Sequence, residues 1–243
     1  MFARALTLPA ALIDAALDAV FQQRCAACDA LRPDAPMCEA CTASLTEVGP
    51  ACPRCAEPVE LAGGAVVACA RCRLRPLALD GLVAPWRYGG ALGEALRRLK
   101  FGRKPWIAST LAPLFAPQLR AVCALAAIDV VTFVPLHFWR RGQRGFDQGA
   151  LLLGAALGAA CVPTLRRRRA TTAQSALPAP RRAANVAGSF VATRRGGRVV
   201  AGRRVLVLDD IATTGATLSA AAQALRHAGA AEVWGFAVAR AEL

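Results

Sequence analysis

The sequence predicts an α/β fold: a parallel sheet flanked by helices, preceded by a small cysteine-rich module. Three observations predict it. Eight of the ten cysteines fall in four Cys-x-x-Cys pairs between Cys25 and Cys72. From Leu79 onward, short apolar runs alternate with helical stretches, which is the grammar of βαβ units. One of those runs, Val205 to Leu208, leads at once into two aspartates and a Thr/Gly-rich turn that opens a helix.

The chain has 243 residues, enough for one large domain or two unequal ones. Apolar residues make up 56% and charged residues 19%, which suits a sizeable core, although much of the apolar share is alanine. The formal charge of +14 is unevenly spread. Residues 1–80 carry 7 basic and 9 acidic side chains, net −2, and residues 81–243 carry 23 and 7, net +16. A surplus of this size attracts polyanions, whether nucleic acid or small phosphorylated ligands. Only Lys100 and Lys104 are lysines, so a GC-rich genome that spells basic residues as arginine is the competing explanation.

Residues 1–22 read as an amphipathic helix. Leu12, Ala16 and Val20 share a face with Ile13, Leu17 and Phe21, while Asp14 and Asp18 interrupt what would otherwise resemble a signal peptide. The uncharged stretch Gly149 to Leu165 is short for a bilayer and is expected to pack as a helix against the sheet. The expectation is therefore a cytoplasmic protein with no membrane insertion, its cysteines reduced or bound to metal.

Residues 23–78 form the cysteine module, with Cys25/Cys28, Cys38/Cys41, Cys52/Cys55 and Cys69/Cys72 separated by gaps of 9, 10 and 13 residues. A Cys-x-x-Cys turn puts two thiolates on one side of a knuckle, and two knuckles complete a tetrahedron around Zn²⁺. Eight thiolates make two closed, structural four-cysteine zinc sites. The only histidines, His137 and His227, are far away in sequence. Pairing of first knuckle with second and third with fourth is preferred, and spacing leaves crossed pairing open. So small a unit needs a metal staple to fold alone, and loss of a ligand such as Cys25 or Cys72 is expected to leave residues 81–243 folded. Cys123 and Cys161 read as ordinary buried core residues.

In residues 79–243, Asp129 to Val134 reads as a strand, Gln148 to Ala160 as a helix and Val205 to Leu208 as a buried parallel strand. A helix follows through about Ala228, then a strand from Glu232 to Val238. Where Thr213 to Thr217 enter the helix, unpaired N–H groups and the helix dipole favour an anion. Gly215 allows close approach of the backbone, and Thr213, Thr214 and Thr217 add hydroxyls. Asp209 and Asp210 would repel phosphate, so another task suits them: accepting hydrogen bonds from two ribose hydroxyls. A Mg²⁺-binding aspartate pair is the alternative. No Gly-Lys-Ser/Thr follows, and no G-x-G-x-x-G opens a helix.

Val205 through Thr217 resembles the phosphoribosyl pyrophosphate (PRPP) signature of type I phosphoribosyltransferases. The likeness extends to the ComF proteins of bacterial competence through Arg144-Gly145-Phe146, Gln174, Leu177, Arg182, Asn185, Phe190, Trp86-Arg87-Tyr88 and Leu99-Lys100-Phe101. It implies that Asp209 and Asp210 are the catalytic pair and that Ala212, Thr213, Thr214, Gly215, Ala216 and Thr217 complete the PRPP site, with Mg²⁺ accompanying the ligand. It also assigns Leu136 and His137 to the pyrophosphate loop, and Arg144, Gln174, Arg182 and Asn185 to pyrophosphate or to a hood over about 166–203. The implied role is accessory, in DNA uptake during natural transformation, with single-stranded DNA and other DNA-uptake proteins as partners. The alternative is an active phosphoribosyltransferase acting on a nucleobase or other acceptor. Two positions depart from the family pattern: Leu136-His137 follows Val134-Pro135 where a second proline is usual, and Asp147 stands in place of an asparagine.

Arg166 to Arg169 form a run, and further arginines, among them Arg181, Arg194 and Arg204, are interspersed with Pro178, Pro180, Gly196 and Gly197. This reads as a long mobile loop rather than an element. Such a loop suits pyrophosphate, a DNA backbone or both, and solvated arginines with no ligand give the same pattern. Trp86, Tyr88, Phe101, Trp106, Phe133, Phe138, Trp139 and Phe146 are the aromatics available to stack on bases.

Overall fold

A computed structural model of the chain describes residues 24–31, 37–61, 64–158, 161–168 and 186–242. The helix expected over 1–22, and Gln174, Arg182 and Asn185, lie outside the described residues. Strand β6 (Arg204–Ala212) is the centre of a five-stranded parallel sheet. It pairs with β3 (Val130–Phe133) on one side and β7 (Glu232–Arg240) on the other. On the outer side of β7, β1 (Gly81–Val83) and β2 (Trp86–Arg87) pair end to end.

Side-chain alternation along the strands builds two cores. Leu206, Leu208, Phe236 and Val238 face one layer of helices: α3 (Gly90–Phe101), α4 (Ile107–Leu125) and α6 (Gln148–Leu157). Val205, Val207, Val233 and Ala237 face the opposite layer, α8 (Ala216–His227), through Leu218, Ala221 and Leu225. Because both faces are covered, Val205 to Leu208 are all fully buried, which explains why they read as an unbroken apolar run. By length and composition alone, α4 could span a bilayer, but half of that stretch is buried. Leu111, Phe115 and Leu119 take it into the core.

The cysteine module is docked, not separate. Cys25, Ala26, Ala27 and Met37 belong to the same buried cluster as Leu92, Leu96 and Leu99 of α3. Val48 donates its N–H to Pro85, Arg87 to Thr46 and Leu82 to Pro53. The first knuckle completes the core on which α3 rests, and denaturation of a Cys25→Ser variant tests the expectation that residues 81–243 stay folded without it.

One reading is corrected, and another in its described part. The strand read as ending at Leu208 continues through both aspartates to Ala212, because β7 keeps pairing with it as far as Ala212 opposite Arg240. Among the described residues, the arginine-rich segment read as a loop contains three elements, and its part over 169–185 lies outside them. β4 (Leu165–Arg167) pairs antiparallel with β5 (Phe190–Ala192), and α7 (Arg194–Val200) follows. Leu165, Phe190 and Val200 are buried and supply the apolar anchors. Thr193 caps α7 by accepting from the Gly196 N–H at 2.9 Å. Cys123 and Cys161 are only half-buried.

Candidate functional site

Each four-cysteine cluster combines a turn knuckle with a helix N-terminus. Cys25 and Cys28 flank a turn, while Cys38 caps α1 (Glu39–Ala43), which contains Cys41. Cys52 and Cys55 repeat the turn, and Cys69 precedes α2 (Ala70–Leu74), which contains Cys72. The four Sγ atoms of each cluster lie within 4.8 Å of one another. The pairing is therefore first with second and third with fourth.

The donor set fits zinc. Sulfurs about 2.3 Å from a tetrahedral ion are about 3.8 Å apart, and both Cys28–Cys38 and Cys55–Cys69 measure 3.7 Å. Backbone N–H groups already point at the sulfurs: Cys38 to Cys25 at 3.3 Å and Cys69 to Cys52 at 3.3 Å. Burial pushes the Cys25 and Cys52 thiols up, but such N–H groups outweigh it and bring them to about 6 and about 7. Two structural zinc sites are what these clusters are built to hold.

The ligand cavity lies at the carboxyl end of β6, where open α/β sheets place their sites. It has a volume of about 300 Å³, and its walls include Lys100, Pro135, Arg144, Arg167, Asp209 and Asp210. Half-buried Asp209 and buried Asp210 sit side by side. The Lys100 ammonium reaches Asp210 at 2.9 Å, and the Gln148 amide donates to it at 3.4 Å. Burial, then the neighbouring Asp210 charge, hold Asp209 well above the ordinary carboxylate range, with Lys100 opposing them.

The turn into α8 forms the cradle beside this pair. Gly215 takes the left-handed conformation, φ 77°. A Cβ there would lie 2.6 Å from Leu77 Cδ1, so only glycine fits. Thr214 Oγ1 accepts from the Ala216 N–H at 3.2 Å. Thr213 and Thr217 face both the cavity and the small hollow that Ala212, Gly215 and Ala216 line. The structure thus brings Asp209, Asp210, Thr213 and Thr217 to one cavity and Ala212, Gly215 and Ala216 to the hollow that shares Asp209, Thr213 and Thr217 with it, while Thr214 lines neither.

Of the other predicted residues, Leu136 and Arg144 line the cavity, and Arg144 also stacks over Phe101 at 4.9 Å. His137 is not on the cavity wall: its ring is buried against Phe138 at 4.5 Å. Asp147, the charge in place of an amide, accepts from the Leu136 N–H at 2.8 Å and caps α6 through the Gly149 N–H at 3.1 Å. A carboxylate has acceptors for both bonds, so it holds the Val134–His137 turn in place. Lys100 and Gln148 are the contributors that sequence reasoning did not place in the site. One signal existed: Lys100 is one of only two lysines in an arginine-rich chain.

The fold and site define a double-zinc-ribbon protein with a phosphoribosyltransferase-type domain. Residues 16–73 match the double zinc ribbon domain family and residues 166–240 the phosphoribosyl transferase domain family. The chain is 34% identical over 207 residues to the DNA utilization protein YhgH of Salmonella typhi, covering 82% of this chain and 88% of that one. It is 31% identical over 179 residues to competence protein F of Haemophilus influenzae, covering 70% and 77%. A solved structure of the allosteric regulatory enzyme of purine biosynthesis is also similar, at 23% identity and TM-score 0.36, over 58% of this chain and 29% of that one. The chain belongs to the ComF/YhgH family.

Proposed function

We propose that this chain binds phosphoribosyl pyrophosphate with Mg²⁺ and serves DNA utilization or uptake as a cytoplasmic accessory protein that also engages single-stranded DNA. One observation carries the ligand reading: two carboxylates at a strand end share a cavity of about 300 Å³ with Thr213 and Thr217 of the turn into α8, and Gly215 lines the small hollow beside it; the volume is within the size range of small-molecule sites. Asp209 and Asp210 would accept from the two ribose hydroxyls, and residues 213–217 would donate to the 5′-phosphate. Arg144 and Arg167, which line the same cavity, suit the pyrophosphate. The names of the relatives, DNA utilization protein and competence protein F, support the cellular setting, in which other DNA-uptake proteins would be partners.

The second reading is an active phosphoribosyltransferase. It is favoured by Tyr88 and Phe101, which line the same cavity and stand available to an acceptor base. Calorimetry with phosphoribosyl pyrophosphate, with and without Mg²⁺, tests the ligand reading. Wild-type protein should bind, and Asp209→Asn/Asp210→Asn should bind at least tenfold more weakly while remaining folded. Unchanged affinity in the double variant would sink the ribose assignment. Pyrophosphate release that depends on an added nucleobase would decide for the enzyme.

A further inference from the structure

Arg240 ends β7 and is only 1% exposed, the largest fully buried side chain among the described residues. A buried guanidinium requires a carboxylate and carbonyls around it. Its Nη1 donates to the carbonyls of Ala212 at 3.1 Å, Ala241 at 2.6 Å and Thr213, and its Nη2 pairs with the Glu57 carboxylate. Ala212 and Thr213 are the residues through which β6 becomes the phosphate cradle. In a trans peptide the carbonyl of one residue and the N–H of the next point to opposite sides. By holding these two carbonyls, Arg240 therefore turns the N–H groups of Thr213 and Thr214 away from itself.

The other end of the contact belongs to the second zinc cluster. Glu57 follows Cys55 by two residues, and its carbonyl accepts the Cys52 N–H at 2.8 Å, closing that knuckle. Arg71, next to Cys72, lies 3.8 Å from the same carboxylate. A separate apolar contact runs in parallel: Leu77 packs on the Cys52, Cys55 and Cys72 cluster, and its Cδ1 abuts Gly215. Two unrelated contacts thus tie one knuckle to one cradle.

We infer that the second zinc cluster and the phosphate cradle are one coupled unit joined by Arg240 and Glu57. Metal occupancy at Cys52, Cys55, Cys69 and Cys72 sets the cradle's affinity for phosphate esters, and a bound ester slows the loss of that metal. The second half follows from the first, because coupling between two binding sites is reciprocal. Arg240 is here a positioning residue, and the inference rests on the phosphoribosyl reading of the cradle.

The test measures zinc release from the full chain into a chromogenic chelator, with and without saturating phosphoribosyl pyrophosphate or ribose 5-phosphate. In the wild type, the ligand should slow release of one of the two zinc ions by at least about fivefold, the low end of typical couplings. Glu57→Gln removes the carboxylate charge at a partly exposed side chain and keeps the knuckle backbone. It should retain two zinc ions and lose the protection, whereas Arg240→Met risks the fold. Amide exchange at residues 213–217 should also quicken in Glu57→Gln, while Val205 to Leu208 stay protected. Ligand binding by calorimetry with no change in zinc release, or full protection in Glu57→Gln, overturns the coupling. If no phosphate probe binds the wild type, the phosphoribosyl reading fails instead. Exchange at 213–217 then decides alone: faster after chelation upholds the link, and unchanged exchange refutes it.

Discussion

Asp209 carries an electrostatic cost that follows from its place on a covered strand. Its pKa is raised by burial and by Asp210, so the folded chain holds that proton to higher pH than the unfolded chain does. Its contribution to stability is most favourable below the ordinary value of 3.8 and is lost as pH rises through that value towards the folded one. Asp209→Asn is uncharged throughout. It should therefore raise the thermal midpoint near pH 7. The gain should shrink as pH falls through 3.8 and vanish well below it, where wild-type Asp209 is neutral in both states. A midpoint series across that range checks the sign, and an Asn variant less stable than wild type at pH 7 would mean that the ionised carboxylate is well satisfied. A more stable Asn variant would instead show a side chain kept for its ligand at the expense of the fold.

At the scale of elements, legibility tracked how local each cause was. Cysteine spacing and the Val205–Thr217 junction are local patterns, and the two four-cysteine clusters and the strand–turn–helix were readable from them. The elements between 165 and 200 were not, because their strands are three residues long and owe their form to packing on α8. The informative residues were Thr193 as a cap and Gly196, where a Cβ would lie 2.1 Å from the Thr164 carbonyl oxygen. Gly196→Ala should therefore cost about 1–3 kcal/mol, the range for overpacking, measured by urea denaturation, whereas Gly197→Ala, in the same helix with open space around it, should be neutral or stabilising by up to about 1 kcal/mol. The docking of the cysteine module was equally hidden, since Asp29 pairs with Arg98 and Lys104 some seventy residues on. Arg98 also donates to the carbonyls of Cys25, Ala26 and Ala27 at 3.2 Å each. Metal analysis of purified protein should return two zinc ions per chain. One ion would leave a cluster without its role, and none would remove the staple on which α3, and with it Lys100, rests.

For the molecule as a whole, the question is whether the net +16 of residues 81–243 serves the cavity, a DNA strand or both. The pleat of β4 divides the arginine run between them. Arg167 turns to the cavity wall and stacks over Phe190 at 5.2 Å, while Arg166 and Arg168 are exposed. Phe138 and Trp139 are also exposed, at 64% and 66%, with ring centroids 5.1 Å apart, an arrangement suited to stacking on unpaired bases. Binding of single strands through phosphate contacts releases counterions, so log K should fall with log[salt] by about 0.7 per contact. Arg166→Gln/Arg168→Gln should flatten that slope by up to about 1.4 and leave the affinity for phosphoribosyl pyrophosphate unchanged. Arg167→Gln should do the reverse, weakening phosphoribosyl pyrophosphate by about tenfold or more, the loss of one charge-assisted contact, with the salt slope intact. Fluorescence anisotropy over a salt series, paired with calorimetry, reads both quantities on the same preparations. If each variant damages both ligands equally, DNA and phosphoribosyl pyrophosphate compete for one anion site. If single strands fail to bind even at low salt, the arginine surplus is only a solvated surface and the accessory role in DNA uptake loses its physical basis.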